Sequence, residues 1–473
     1  MEKSKQKDKW IVVFITALSI CGQTSVMFSP GLRTFDYKQH FNETQTKVNL
    51  LNGSYIIMAL PMGIITMFLI DRTGLNKLIK FCCWSQTIGS SIRLIGHFLK
   101  IFELSLFGQF VSAFCQGINL APGKVGDVWF ESDERTLATA LVTSGNMVGI
   151  LYASLFGGLD ISLNTFTILV TFPQIIAGPI CFVIFRIFKI REHDRELENI
   201  KRNEVERTFT FVAKEIFQLF KNRNYILLAI AYMSTLGASI VIVQLSYQIM
   251  CPLGYTRFFI VTIVTTSALA AGVFGATVIS KLIDNCHYKK HVVIQKSILA
   301  INSLAGTAFF FIIKEPLHDN PFNKYILLMA CIFQSFLSSG CMGLILNLAV
   351  ETTYPIGVGV SNGVLWVSVN VFAASIMAVI HNVKGEYSVE ELKAFNSTCH
   401  LDDSAGSSTS DTRNEIKPVD KFNNGFLVMF GLIFVLTLAH IIFYKCEFRR
   451  TKAEEQDKDN ERRSAEEIDE LKK

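Results

Sequence analysis

Twelve apolar stretches, each near the length of a bilayer-spanning helix, fall into two groups of six around one long charged segment. The first six run over 10–30, 48–70, 78–98, 104–126, 136–158 and 165–186. The second six run over 224–249, 258–280, 292–313, 325–350, 358–381 and 423–444. A helix rises 1.5 Å per residue, so roughly 20 apolar residues cross the hydrocarbon core. A water-soluble chain cannot bury so many such runs, and in lipid only a helix satisfies its own backbone within one segment. The expected fold is therefore an all-α membrane protein with twelve transmembrane helices in two pseudo-symmetric six-helix bundles. The expected units are an N-terminus (1–9), a first bundle (10–186), a linker (187–223), a second bundle (224–444) carrying a long outer loop (382–422), and a charged tail (445–473).

Charge decides orientation. Only 18% of the chain is charged, against 50% apolar, and the excess of +5 is no nucleic-acid footprint. Four lysines precede the first run, which is too long for a cleavable signal and reads as a retained span. With the N-terminus in the cytosol and alternating spans, 30 of the 45 Lys and Arg residues fall on the cytosolic side and 12 outside. The other three, Arg93, Lys124 and Lys296, lie inside spans. This bias matches the positive-inside rule with both termini cytosolic. The sequons at Asn42 and Asn396 fall in outer loops and are expected glycosylation sites. The linker reads as carrying an amphipathic helix, and 384–421, with its run of Ser, Gly and Thr, as a flexible loop. No organelle address is recognisable, so the plasma membrane is the default.

The turn after the second run reads GIITMFLIDRTGLNK (63–77), and the turn after the eighth reads GATVISKLIDNCHYKK (275–290). Leu69-Ile70-Asp71 and Leu282-Ile283-Asp284 thus occupy the same place in each half. Two parallel six-helix halves with an acidic turn after the second helix of each resemble the major facilitator transporters. Asp71-Arg72-Thr73-Gly74 is similar to that superfamily's signature turn, departing from it where Leu75 and Asn76 precede Lys77. Such an aspartate can brace a neighbouring helix N-terminus and hold a gate closed; an ordinary polar turn is the competing reading. Longer strings, at 108–150, 219–232 and 348–365, resemble the feline leukaemia virus subgroup C receptor-related family, closest to its less characterised branch. The most specific pieces are Pro122 with Trp129-Phe130, Gly145-Asn146 with Gly149, and Glu351 with Tyr354-Pro355.

The resemblance implies a solute carrier for haem, choline, ethanolamine or a related solute. In the choline carriers an aromatic box holds a quaternary ammonium, as a cation over aromatic faces should be held. The matching positions here are Val26 and Ile240, both aliphatic. The family's glutamine in the fourth helix is matched by Gln116, and the one in the eleventh becomes Asn370. The polar half of such a site is present and the aromatic half is not.

Polar groups inside spans are costly unless paired or wet, which makes them candidates by default. Gln116, Asn146 and Asn370 are cavity candidates because an amide both donates and accepts without demanding charge; interhelical hydrogen bonding is the alternative. Tyr232, Gln244 and Gln334 are second-rank cavity candidates, and Trp366 reads as a packing or lipid-facing residue. Arg93 either snorkels, pairs structurally or meets substrate. Lys124 and Asp127, three apart near the cytosolic end of the fourth span, read as an intracellular gate pair. Glu351 is expected to close the same gate by accepting hydrogen bonds or an ion pair. With Asp71, Arg72 and Asp284 these complete the expected gating set. Pro122 can bend the fourth span, and Gly145 and Gly149 allow close helix approach.

Eleven scattered cysteines show no metal spacing, and no metal or cofactor is expected. Cys251 and Cys399 both belong to outer loops and are expected to pair. No phosphate-binding loop of the ATPase type is present, and no mid-span carboxylate stands in the first or fourth run, which favours facilitated movement over proton symport. A membrane enzyme would need a nucleophile–base pair that the scattered histidines do not form. The expected protein is a carrier working by alternating access, monomeric in the bilayer, with no nucleic-acid partner. A transporter-shaped receptor that binds without transport is the alternative.

Overall fold

The computed structural model describes residues 2–43, 45–131, 134–187, 209–313, 322–383, 385–388, 390–391, 419–453 and 455–456. Helices occupy the position of every apolar run. Spans 1 to 6 are Glu2–Leu32, Gln45–Thr73, Leu75–Phe98, Phe102–Trp129, Arg135–Gly157 and Leu163–Ile187. Spans 7 to 12 are Arg223–Met250, Phe258–Asp284, His291–Ile313, Asn323–Thr353, Val358–Asn382 and Asn423–Phe443. Ten of these are long and apolar enough to cross a bilayer on length and composition. Spans 3 and 9 are helical over 24 and 23 residues, but span 3 carries Lys77, Lys80 and Arg93, which lower its apolarity.

The burial pattern is that of a chain solvated by lipid. Large apolar side chains such as Phe14, Ile57, Phe274 and Phe311 face outward, while Gln23, Gln86, Gln109, Gln116 and Gln174 are fully buried. Without a hydrophobic drive between helices, association comes from close packing and interhelical hydrogen bonds. In the first bundle, span 1 packs on spans 5 and 6, and span 3 on spans 4 and 6. In the second, span 10 packs on spans 8 and 9, and span 9 on span 12. The bundles meet where span 5 packs on spans 8 and 10, span 2 on span 11 and span 1 on span 7. Gly145 and Gly149 make the contact of span 5 with span 1: a Cβ at Gly149 would lie 2.2 Å from the carbonyl oxygen of Cys21.

Three spans depart from regular helix. Span 4 tightens to a 3-10 helix over Phe114–Leu120 and resumes at Ala121, with Pro122 in the resuming turn; the expected bend is a tightened turn just ahead of the proline. Span 7 contains a π-turn at Met233–Gly237, and span 8 begins with one at Phe258–Thr265. Such mid-helix irregularities concentrate at functional hinges.

Smaller elements cap the two faces. Thr34–Phe41 is a short helix between spans 1 and 2. In the linker, Phe209–Lys221 is amphipathic, burying Val212 and Leu219 while Phe211, Phe217 and Phe220 stay exposed. At the base of the long loop, β1 (Gly385–Tyr387) pairs antiparallel with β2 (Val419–Lys421), Glu386 opposite Asp420. This ribbon departs from the all-flexible loop expected for 384–421. Lys421 holds it by pairing with Glu391 at 3.0 Å and lying over the Tyr387 ring. The start of span 1 and the segment that follows span 12 lie on one face, where Lys9 pairs with Glu134 and Arg450 with Asp127. That face is called the tail face below, and the opposite one the loop face.

Candidate functional site

A cavity of about 140 Å³ of water-accessible space lies between the bundles. Spans 1 and 5 line it from the first half, and spans 7 to 11 from the second. Its apolar wall includes Met27, Phe28, Met147, Ile240, Met250 and Met342. Its polar lining consists of Gln23, Asn146, Gln334, Trp366, Thr24, Thr265 and several serines. Among the described residues, no Asp, Glu, Lys, Arg or His lines it. A second, much smaller space of about 20 Å³ lies behind it between spans 7, 9, 10 and 12, with Gln334 on the wall of both.

Of the six sequence-derived cavity candidates, Asn146 and Gln334 line the cavity and the other four do not. Gln116 sits in the 3-10 turn of span 4, one layer behind. Its Nε2 donates to the Tyr55 carbonyl at 2.9 Å, and its Oε1 accepts from Gln23 Nε2 at 3.0 Å and Asn119 Nδ2 at 3.1 Å. Gln23 thus stands between Gln116 and the cavity. Tyr232 is buried just ahead of the π-turn of span 7. Gln244 is buried with neither amide atom hydrogen-bonded, its backbone against Gly31 of span 1. Asn370 donates to the Trp366 carbonyl at 2.9 Å, one turn back in its own helix. It is therefore Trp366, expected to pack or face lipid, that reaches the cavity. Of the two aliphatic positions matched to the aromatic box, Ile240 lines the cavity.

Arg93 is fully buried outside the cavity, ringed by hydroxyls: Ser29 Oγ at 3.1 Å, Tyr37 Oη at 3.2 Å and Thr171 Oγ1 at 3.5 Å. Those bonds tie span 3 to spans 1 and 6, a structural role.

Contacts between the halves flank the cavity on both faces. On the tail face, Asp284 Oδ2 at the end of span 8 accepts from the Leu137 N–H, in the first turn of span 5, at 3.0 Å. This is a carboxylate at a helix N-terminus supplied from the other bundle, where the dipole and unpaired N–H groups favour it. Asp127 of span 4 pairs with Arg450 of the tail. Next to Arg450, Thr451 gives its N–H to Glu351 Oε2 at 3.1 Å and its hydroxyl to Oε1 at 2.9 Å. The tail therefore straps span 4 of one bundle to span 10 of the other. Beneath the strap, Asn362 of span 11 presses against Gly123 of span 4. Lys124 is buried nearby in sequence, and Arg72 is exposed with its guanidinium over Phe68. The Asp71 side chain lies outside the described residues.

On the loop face, Asp36 bridges the halves, pairing with Arg33 at 3.4 Å and with Arg257, from the turn between spans 7 and 8, at 3.3 Å. Arg33 is itself fixed by the carbonyls of Gly157 at 3.0 Å and Ile161 at 2.7 Å. Deeper, Ser154 Oγ of span 5 meets Thr266 Oγ1 of span 8 at 2.9 Å. Cys251, in the same turn as Arg257, is disulfide-bonded; its expected partner, Cys399, lies outside the described residues, as does the sequon Asn396. Asn42 is exposed at the end of the 34–41 helix, in the left-handed region with φ 53°.

Sequence reasoning missed Gln23, Asp36, Arg257 and Arg450. Gln23 had a signal, being an amide in the middle of an apolar run. The loop and tail charges had none, because nothing local marks which of many surface charges meets its partner across the fold.

Residues 12–378 match the Major Facilitator Superfamily. The chain is 25% identical over 467 residues to Solute carrier family 49 member A3 of Xenopus tropicalis, covering 95% of this chain and 89% of the relative. It is 22% identical over 384 residues to the Choline/ethanolamine transporter FLVCR2 of Rattus norvegicus, covering 77% and 67%. In fold it is similar to the crystal structure of the transporter FucP in its outward conformation, with a TM-score of 0.58, 15% identity, and 91% and 99% of the two chains covered. The expectation raised by the acidic turns and the paired halves therefore stands: the chain belongs to the major facilitator superfamily.

Proposed function

We propose that the chain is a multi-pass membrane transporter that moves a small organic solute by alternating access, by facilitated or ion-coupled movement and without ATP. The observation that carries this reading is one cavity lined from both bundles and flanked on each face by bonds that cross between them. Opening one set while keeping the other exposes the cavity to one side at a time. The relatives' names offer choline and ethanolamine as candidates, with haem and other small metabolites suggested by the wider resemblance.

The rest of the reading follows the charge pattern. The tail face is cytosolic, both termini with it, and the membrane is the plasma membrane by default. The units divide at 10–186 and 224–444, joined by the 187–223 linker. Asn42 and Asn396 are glycosylated, Cys251 pairs with Cys399, and the protein works as a monomer with no enzymatic step. The test is solute flux in proteoliposomes, guided by untargeted metabolite comparison of cells with and without the protein. Exchange of an identified solute supports the reading. Binding without counterflow would instead make the chain a receptor or sensor.

A further inference from the structure

Gln116 and Gln23 leave one atom over. Gln116 Nε2 must face the Tyr55 carbonyl, since two acceptor oxygens cannot pair, so its Oε1 faces Gln23 and Asn119. Gln23 must therefore present Nε2 to that oxygen, and its own Oε1 is buried with no hydrogen-bond partner. Across the cavity, the Trp366 Nε1–H is likewise buried and unpartnered. Both residues line the cavity. An acceptor and a donor left unpaired at depth are each unfavourable, a cost that a bound molecule with one donor and one acceptor removes. Among the described residues the lining holds no ionised side chain, so a bound ion would lose its hydration with no carboxylate or ammonium there to replace it. The cavity's room, on the order of ten water-sized volumes, suits a small molecule.

Resting on the transport reading above, we infer that the solute is a small molecule without net charge, mostly apolar, that donates a hydrogen bond to Gln23 Oε1 and accepts one from Trp366 Nε1. Gln116 is then a positioning residue, fixing which atom of Gln23 is presented.

The experiment uses full-length protein in liposomes given an equimolar mixture of choline, ethanolamine and 3,3-dimethyl-1-butanol (the uncharged carbon isostere of choline), together with a whole small-molecule extract of the host cells. Solutes taken up are identified by mass spectrometry. The inference expects the accumulated species to be uncharged at pH 7.4, to carry a hydroxyl or amide, and to include the alcohol over choline by tenfold or more. Gln23→Leu and Trp366→Phe should each lower the apparent affinity about tenfold or more at unchanged melting temperature, whereas Gln23→Glu should not restore uptake. Accumulation led by choline, ethanolamine or any ion, or Gln23→Leu and Trp366→Phe proteins with undiminished affinity, would overturn the inference and leave transport standing. No accumulation of any species in any liposome would overturn the transport reading itself.

Discussion

Removing Arg450 tests whether the tail is a gate or a mere surface appendage. The Arg450 and Asp127 side chains are 13% and 24% exposed, so the pair is partly shielded from water. A hydrogen bond to a charged group contributes about 1.5–3 kcal/mol; the residual exposure discounts this to about 1–2 kcal/mol. Tenfold in an equilibrium is 1.4 kcal/mol, so Arg450→Ala should raise the tail-open population about 5- to 30-fold. Asn362 provides the reporter, because it lies under the strap against Gly123 and neither of its amide atoms is hydrogen-bonded. Asn362→Cys therefore sacrifices no bond. In a background stripped of the free cysteines, its alkylation by a membrane-impermeant maleimide applied to the tail face should accelerate by the same factor, since slow labelling through fast opening reads the open population. The charge-swapped pair Asp127→Arg with Arg450→Asp should recover most of the protection. Labelling indifferent to Arg450→Ala, or a swapped pair as reactive as the single variant, refutes the strap.

The loop face should respond in the opposite sense. Arg257→Ala breaks the bridge to Asp36, and with both side chains a fifth or more exposed its effect is smaller, about two- to fivefold; Gln244→Cys labelled from the loop face measures it, and an unchanged rate counts against the assignment. Gly89→Ala places a Cβ 2.2 Å from the Ser112 nitrogen and forces spans 3 and 4 apart. It should cost about 1–3 kcal/mol, seen as a lower melting temperature in detergent; a melt matching the parent would contradict that packing. Burial pushes the Cys446 thiol above its ordinary range, so little thiolate exists at neutral pH. Its alkylation should be slow at pH 7.5 and still climbing past the usual thiol value, and the stability held by the neutral thiol is kept below that value and lost above it; fast labelling at pH 7.5 disproves this. Cys399→Ser should free Cys251 for alkylation without reductant, and a Cys251 that stays blocked would require another partner.

The lattice of spans was legible because lipid imposes one rule on every residue in it: apolar side chains over about 20 positions, with backbone bonds closed within the helix. The acidic turns were legible for a similar reason, a carboxylate at a helix end having few physical uses, and Asp284 meets the span 5 N-terminus in the other half. The cavity was only half legible. Polarity in a span marks Gln116 and Gln23 alike, but which of two bonded amides faces the cavity depends on helix rotation. Rotation here follows from a 3-10 turn that periodicity does not reveal. Trp366 and Asn370 show the same limit: they lie one turn apart on span 11, and the cavity takes the aromatic one. The tail strap was invisible because its partners are 323 residues apart in sequence.

The placement of charge explains how such a protein can move at all. Alternating access needs its two closures to differ by no more than a few kcal/mol, or one state would be too rare to serve. Ion pairs at the faces meet that requirement: Asp36 and Arg257, or Asp127 and Arg450, can each be hydrated when parted, so breaking them returns most of what forming them gave. The same pairs at the cavity's depth would have no water to return to, and parting them would cost several kcal/mol. A cavity furnished with amides and an indole avoids that barrier. Its unpaired Gln23 oxygen and Trp366 N–H are weak enough to be left empty and strong enough to prefer a bound solute. Exchange of the two chemistries, a carboxylate at Gln23 or an uncharged residue at Asp127, should therefore fail in opposite ways: the first by trapping the cavity in one state, the second by letting the tail face leak open.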